Sequence, residues 1–139
     1  MTVVVDTSVL VAAINRRDEN HDRAVGLLED LRRGNHGPVV TTDFIFDEVV
    51  TVTLARTGRH EAAVRAILFL LPPEPEAAWL ALEPVGEETF FRALEAFRRA
   101  GRRDLSFTDW TTVSIVREGR ADAVVSFDRD FDGLVARIA

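Results

Sequence analysis

Four carboxylates stand at the joints of this chain. Asp6 follows the apolar run Val3-Val4-Val5, and Asp128 follows Ala123-Val124-Val125. Glu48 lies inside a helical stretch that opens near Asp43, and Asp109 sits at the start of another. Acids this far apart in sequence, each at an element end or on an apolar face, can converge on one point. Carboxylates gathered there repel one another strongly unless divalent cations neutralise them. Hard oxygen donors favour Mg²⁺ or Mn²⁺. The pattern points to a metal site.

Each acid also has a plainer use. Asp6 can cap the helix after its strand. Asp109 in a first helical turn is stabilised by the macrodipole. Glu48 shares a helix face with Phe44, Ile45, Thr51 and Val52, where a lone carboxylate is costly unless it meets an arginine or a metal. Adjacent Asp47 is turned by about 100° onto another face. Ser126-Phe127-Asp128-Arg129-Asp130-Phe131-Asp132 carries three acids after a strand, where a turn uses one or two. Asp130 is either a second ligand or a brace for the loop, and Asp132 is a surface residue. Arg98, Arg99, Arg102 and Arg103 form either a solvated helix end or a phosphate-contacting rim beside the acids. His21, His36 and His60 lie in polar or turn contexts and read as surface. Ser8 lacks the elbow glycines of a serine nucleophile, and no phosphate-cradling glycine loop is present.

The elements that must position these groups alternate between strand and helix. Val3–Val5 and Ala123–Ser126 are continuous apolar runs, as buried parallel strands are. Val39–Thr41 is a short strand, with Thr42 or Asp43 capping the helix that runs to Thr57 and Gly58. Further helices are expected from Thr7 through Ile14, over His21–Arg33, and over Arg59–Leu71 before Pro72-Pro73. Trp79–Leu82 reads as an edge strand. Glu87–Ala100 reads as a helix with Phe90, Phe91, Leu94 and Phe97 inward. Thr108 is expected to cap a helix over Asp109–Arg117, and Leu134–Ile138 to form a last short strand. Alternation of this kind makes an α/β parallel sheet, in one domain over residues 1–139.

Net charge is −6, and all 17 basic residues are arginine. A nucleic-acid binder that relied on bulk charge would be basic, so any phosphate substrate must be held locally, by metals and clustered arginines. With no cysteine, disulfides and thiolate metal sites are excluded. No stretch approaches the roughly 20 apolar residues of a membrane helix, and the amino end does not read as a signal peptide. A cytoplasmic protein is expected.

Val-Val-Asp6-Thr7-Ser8-Val-Leu, Phe46-Asp47-Glu48-Val49, Leu105-Ser106-Phe107-Thr108-Asp109 and Val125-Ser126-Phe127-Asp128-Arg129-Asp130-Phe131, taken in order, resemble the motifs of a PIN domain. The likeness spans essentially the whole chain and is greatest to the VapC-type toxins of prokaryotic toxin–antitoxin pairs. It implies an α/β/α fold with four or five parallel strands and a Mg²⁺- or Mn²⁺-dependent ribonuclease leaving 5′-phosphate and 3′-hydroxyl ends. It implies Asp6, Glu48, Asp109 and Asp128 as catalytic acids. The metal would be held by Asp6, Asp109 and Asp128, with Asp130 added. Ser8 (or Thr7) and Ser126 would support them, and Arg102 and Arg103 are candidates to meet substrate. It also implies a small antitoxin partner and a homodimer. Ile67–Leu71 and Phe90-Phe91 are either interface or core, with core favoured by their helical spacing. Trp110 departs from the pattern, where a small residue is more usual. Two other readings are a PIN-like module that binds RNA or protein without cleaving and a housekeeping RNA-processing nuclease. A haloacid dehalogenase-type phosphatase would need an Asp where Ser8 stands.

Overall fold

The computed structural model describes residues 1–139. Strand β1 (Val3–Val5) leads to helices α1 (Thr7–Ile14) and α2 (His21–Arg32), and β2 (Val39–Thr42) leads to α3 (Asp43–Thr57) and α4 (His60–Leu70). β3 (Ala81–Glu83) is followed by α5 (Glu87–Ala100) and α6 (Phe107–Arg117), then β4 (Ala123–Val125) and β5 (Arg137–Ile138). All five strands are parallel, in the order β3-β2-β1-β4-β5. Right-handed crossovers require helices on both faces of such a sheet, which gives three α/β/α layers.

β1 is the central strand, pairing with β2 from Val3↔Val39 and with β4 from Val3↔Ala123 to Val5↔Val125. Its three valines are fully buried, as are Val124 and Val125. That is why both runs lack polar alternation. After β1 the chain builds outward through β2 to β3, then crosses to β4 on the other side of β1. The carboxyl ends of β1 and β4 therefore flank the point where strand order reverses. A crevice opens there in open parallel sheets.

Several local expectations are corrected. α6 starts at Phe107, capped by Ser106 and not Thr108: Ser106 Oγ accepts from Asp109 N at 3.1 Å, and Asp109 Oδ2 accepts from Ser106 N at 2.8 Å. The edge strand begins at Ala81 and not Trp79. Trp79 is drawn off the sheet, donating Nε1–H to the Phe69 carbonyl at 2.8 Å with its ring against Phe69. Phe91 and Phe97 do not point inward; they are 54 % and 45 % exposed. The side of α5 that is buried carries Thr89 and Ala93, and such small residues let α6 approach closely. In α4, Leu70 is core but Leu68 is 48 % exposed. His21 is half-buried, its Nδ1 bonded to the Ala12 carbonyl at 2.8 Å, which ties α2 to α1. Trp110 fits: it is buried in the core, with its Nε1–H unpartnered.

Candidate active site

Asp6 is both a helix cap and the centre of the site. At the end of β1 it caps α1, its Oδ2 accepting from Ser8 N at 3.3 Å. The same oxygen accepts from Ser8 Oγ at 3.0 Å and Ser126 Oγ at 2.8 Å. Each hydroxyl also accepts a backbone N–H from the loop after β4. Phe127 N donates to Ser8 Oγ at 3.1 Å, and Asp128 N donates to Ser126 Oγ at 3.0 Å. The two serines thus lock the ends of β1 and β4 together and fix the Asp6 carboxylate by one oxygen. Its other oxygen, Oδ1, is buried with no hydrogen-bond partner. Thr7, the alternative support, takes no such part; its hydroxyl is buried and unpartnered.

A buried, unpaired carboxylate oxygen is expensive. Burial pushes the Asp6 carboxyl above its ordinary range, against the lowering effect of the Ser126 and Ser8 bonds. Asp109, in the first turn of α6, is pushed up to about 7. Burial is the main cause, the Ser106 bonds oppose it, and the negative charges of Asp6 and Glu48 add to it. The end of β1, the first turn of α6 and the second turn of α3 therefore bring Asp6 and Glu48 within electrostatic reach of Asp109. Glu48 is half-buried on α3, and Asp47 is exposed on another face, accepting from Thr51 Oγ1 at 3.4 Å.

Asp128 and Asp130 occupy a single 3₁₀ turn after β4, where Asp128 Oδ1 accepts from Asp130 N at 2.9 Å. Partial desolvation and the Asp128 charge push the Asp130 carboxyl up. Arg102 borders this turn. It pairs with Asp104, its Nε donating to Oδ1 at 2.9 Å, and reaches the Asp130 carbonyl at 3.3 Å. Asp104 went unnoticed in sequence, although the Arg102-Arg103-Asp104 spacing carried the signal. Arg103 is exposed and makes no side-chain hydrogen bond or ion pair, whereas Arg98 and Arg99 pair with Glu95 on α5. Asp132 is exposed and pairs with Arg137 at 2.8 Å.

The carboxylates do not close into a cage: no three of them stand near enough to hold one ion as placed. Like charges keep apart. Their chemistry nonetheless fits a hard divalent cation, which would meet the free Oδ1 of Asp6 and offset the charges of Asp6 and Glu48 that add to the effect of burial on Asp109.

Comparison with known proteins identifies the fold and the family. The sequence model of the PIN domain matches residues 3–135. The chain belongs to the PIN domain family. Among solved structures it is similar to VapC20 of Mycobacterium tuberculosis, described as a toxin that cleaves the sarcin-ricin loop. The identity is 28 % over 93 % of this chain and 92 % of that one, with a TM-score of 0.76. The fold is shared with VapBC2 of Rickettsia felis, described as bound to a DNA fragment from its promoter. Identity there is 15 %, coverage 99 % and 98 %, and TM-score 0.72. It is also shared with FitAcB of Neisseria gonorrhoeae, at 14 %, 99 % and 96 %, and 0.65. No curated protein matches the chain significantly. Within this PIN domain, Asp6 and Asp128 follow strands β1 and β4, and Glu48 and Asp109 lie on α3 and α6.

Proposed function

We propose that the protein is a divalent-cation-dependent endoribonuclease and the toxin of a VapBC-type pair. The observation that carries this reading is the free Oδ1 of Asp6, buried at the switch point beside the charges of Glu48 and Asp109. Mg²⁺ or Mn²⁺ would be held by Asp6, Asp109 and Asp128, with Asp130 as a further donor. Bound there, such an ion lowers the pKa of a water and stabilises charge on a scissile phosphate.

The chain's own residues do the rest. Ser8 and Ser126 fix Asp6 by Oδ2 and leave Oδ1 without a protein partner. Glu48 orients the attacking water and accepts its proton. Arg103, free of intramolecular bonds, meets the flanking backbone, while Arg102 holds the Asp128–Asp130 turn in place.

The likeness to VapC20 makes a structured ribosomal RNA hairpin the first substrate to try, and the likeness to VapBC and FitA–FitB proteins supports a small antitoxin as partner. The protein would act in the cytoplasm as a homodimer, with the exposed Phe91 and Phe97 of α5 at the contact. The test is cleavage of labelled RNA with Mg²⁺ or Mn²⁺, with EDTA and Asp6→Asn as controls. We expect metal-dependent cleavage that falls by at least roughly 100-fold in Asp6→Asn. Wild-type protein inert with both metals, or full activity in Asp6→Asn, would overturn the reading.

A further inference from the structure

A cavity of about 550 Å³ opens between the carboxyl end of α1, the second half of α3 and the start of α4. Arg16, Arg56 and Arg65 line it, and no acidic residue does. None of the three arginines forms an ion pair, whereas eight other arginines of the chain do. Glu61 feels the charge of Arg65 but is bonded to Arg59.

The neutral polar residues Asn15, Thr53 and Thr57 and the apolar Val11, Ile14 and Ala62 complete the lining. Asn15 uses Oδ1 to accept from Arg17 N at 3.1 Å, which leaves its amide N–H groups free to donate. Thr53 is only 7 % exposed, and its carbonyl accepts from Thr57 Oγ1 at 2.8 Å. Its hydroxyl makes no hydrogen bond within the chain, and the residue lines the cavity. Arg56 alone would be an ordinary helix-end cation. Arg16 follows the C-cap of α1 and is likewise a helix-end cation, but Arg65 lies inside α4, where the helix dipole does not account for it. The site offers positive charge and hydrogen-bond donors and no negative charge, in a protein whose net charge is −6.

We propose that this cavity seats a backbone phosphate of the bound RNA strand, away from the scissile bond. The inference rests on the ribonuclease reading above for the identity of the strand. α1 begins at Asp6 and α3 carries Glu48, so the helices that hold the acids also wall the cavity. Thr53 and Arg56 lie five and eight residues past Glu48, about 8 and 12 Å along the helix axis. A strand held by a phosphate here and crossing the acidic centre is anchored at two points. The remote anchor supplies the attraction that the acids cannot.

The test is fluorescence anisotropy of a labelled RNA hairpin with the full chain in EDTA, where the acidic centre only repels and binding reports the basic surface. Against wild type, the triple variant Arg16→Gln, Arg56→Gln, Arg65→Gln should bind roughly tenfold more weakly. The slope of log affinity against log salt should shrink by about 0.7 for one lost single-strand phosphate contact. The matching Arg→Lys triple keeps the charge and should retain most of the affinity, and circular dichroism melting checks that both variants fold. With metal, the Gln triple should raise KM for the hairpin and leave cleavage of a dinucleotide unchanged.

Equal binding and salt slope in wild type and the Gln triple would overturn the cavity and leave the nuclease reading standing. Loss of binding in a protein that cleaves no RNA would sink the nuclease reading and keep the cavity as an RNA site. If the Gln triple lost affinity for a polyglutamate peptide but not for RNA, the occupant would be an acidic protein segment and the proposal would fail.

Discussion

Asp109 carries the sharpest consequence at the scale of single residues. Its carboxyl titrates near 7 in the folded chain, against 3.8 for an ordinary aspartate. A raised carboxyl pKa means that the folded state holds its proton where the unfolded state has lost it. Stability therefore falls as pH rises from about 4 to about 7 and stays low above. Asp6 acts in the same direction. The Asp109 share is about 2 kcal/mol once solvent screening of its part-exposed carboxylate is allowed for. Metal-free protein should melt at a lower temperature at pH 8 than at pH 5. Asp109→Asn should flatten most of that dependence and raise the melting temperature at pH 8. Mn²⁺ should restore stability at pH 8 far more than at pH 5, because its ligands must be deprotonated. Thermal melts across pH, with EDTA or Mn²⁺, check all three. Asp109→Asn melting with an unchanged pH profile would show that this carboxyl is not the strained one.

At the scale of elements, what places Asp109 is the start of α6, and here the sequence was legible only in part. A helix ending near Arg117 and an acid in its first turn could be read. The cap could not, because Ser106, Thr108 and Asp109 are all good capping residues. The choice fell to Ser106 through a reciprocal bond that requires Asp109 three residues on. Asp109 therefore holds its helix start with one oxygen while facing Asp6 and Glu48. Ser106→Ala should cost about 1 kcal/mol in chemical denaturation. It should also lower RNA cleavage more than it lowers binding, since the acid loses its tether. An unchanged kcat in Ser106→Ala would show that the box serves folding alone. Asp6 and Asp128 were legible for the opposite reason: uninterrupted apolar runs mark buried strands, and the acids come just past their carboxyl ends, Asp6 directly and Asp128 after Ser126 and Phe127. The link between those ends was expected only from family resemblance. Serines joining residues 120 apart in sequence leave no periodic trace. α5 misled for a physical reason. Helical spacing reports which apolar residues share a face, and the small residues Thr89 and Ala93 took the inner one.

At the scale of the whole molecule, the misreading of α5 becomes informative. Phe91 and Phe97 are large aromatic residues left in water, and they are not isolated. Phe91 meets Phe90 edge-on with ring centres 5.3 Å apart, and Phe97 meets Phe107 at 6.1 Å. Phe90, Phe107 and Phe44 complete a continuous aromatic row, at 5.4 and 6.1 Å. The row runs from the outer face of α5 to the first residue of α6, two positions before Asp109, and across to α3 four residues before Glu48. A second copy docked on this row would bury about 1.5–3 kcal/mol of hydrophobic side chain per phenylalanine and border both acidic centres. Phe91→Ser combined with Phe97→Ser should therefore turn a dimer into a monomer in light scattering coupled to size exclusion. The fold should survive, because neither ring is in the core. Leu68→Ser, on the exposed side of α4, should leave the dimer intact. A monomeric wild type at micromolar concentration would refute the dimer, and a dimer that resists the paired serines and yields to Leu68→Ser would move the interface off α5.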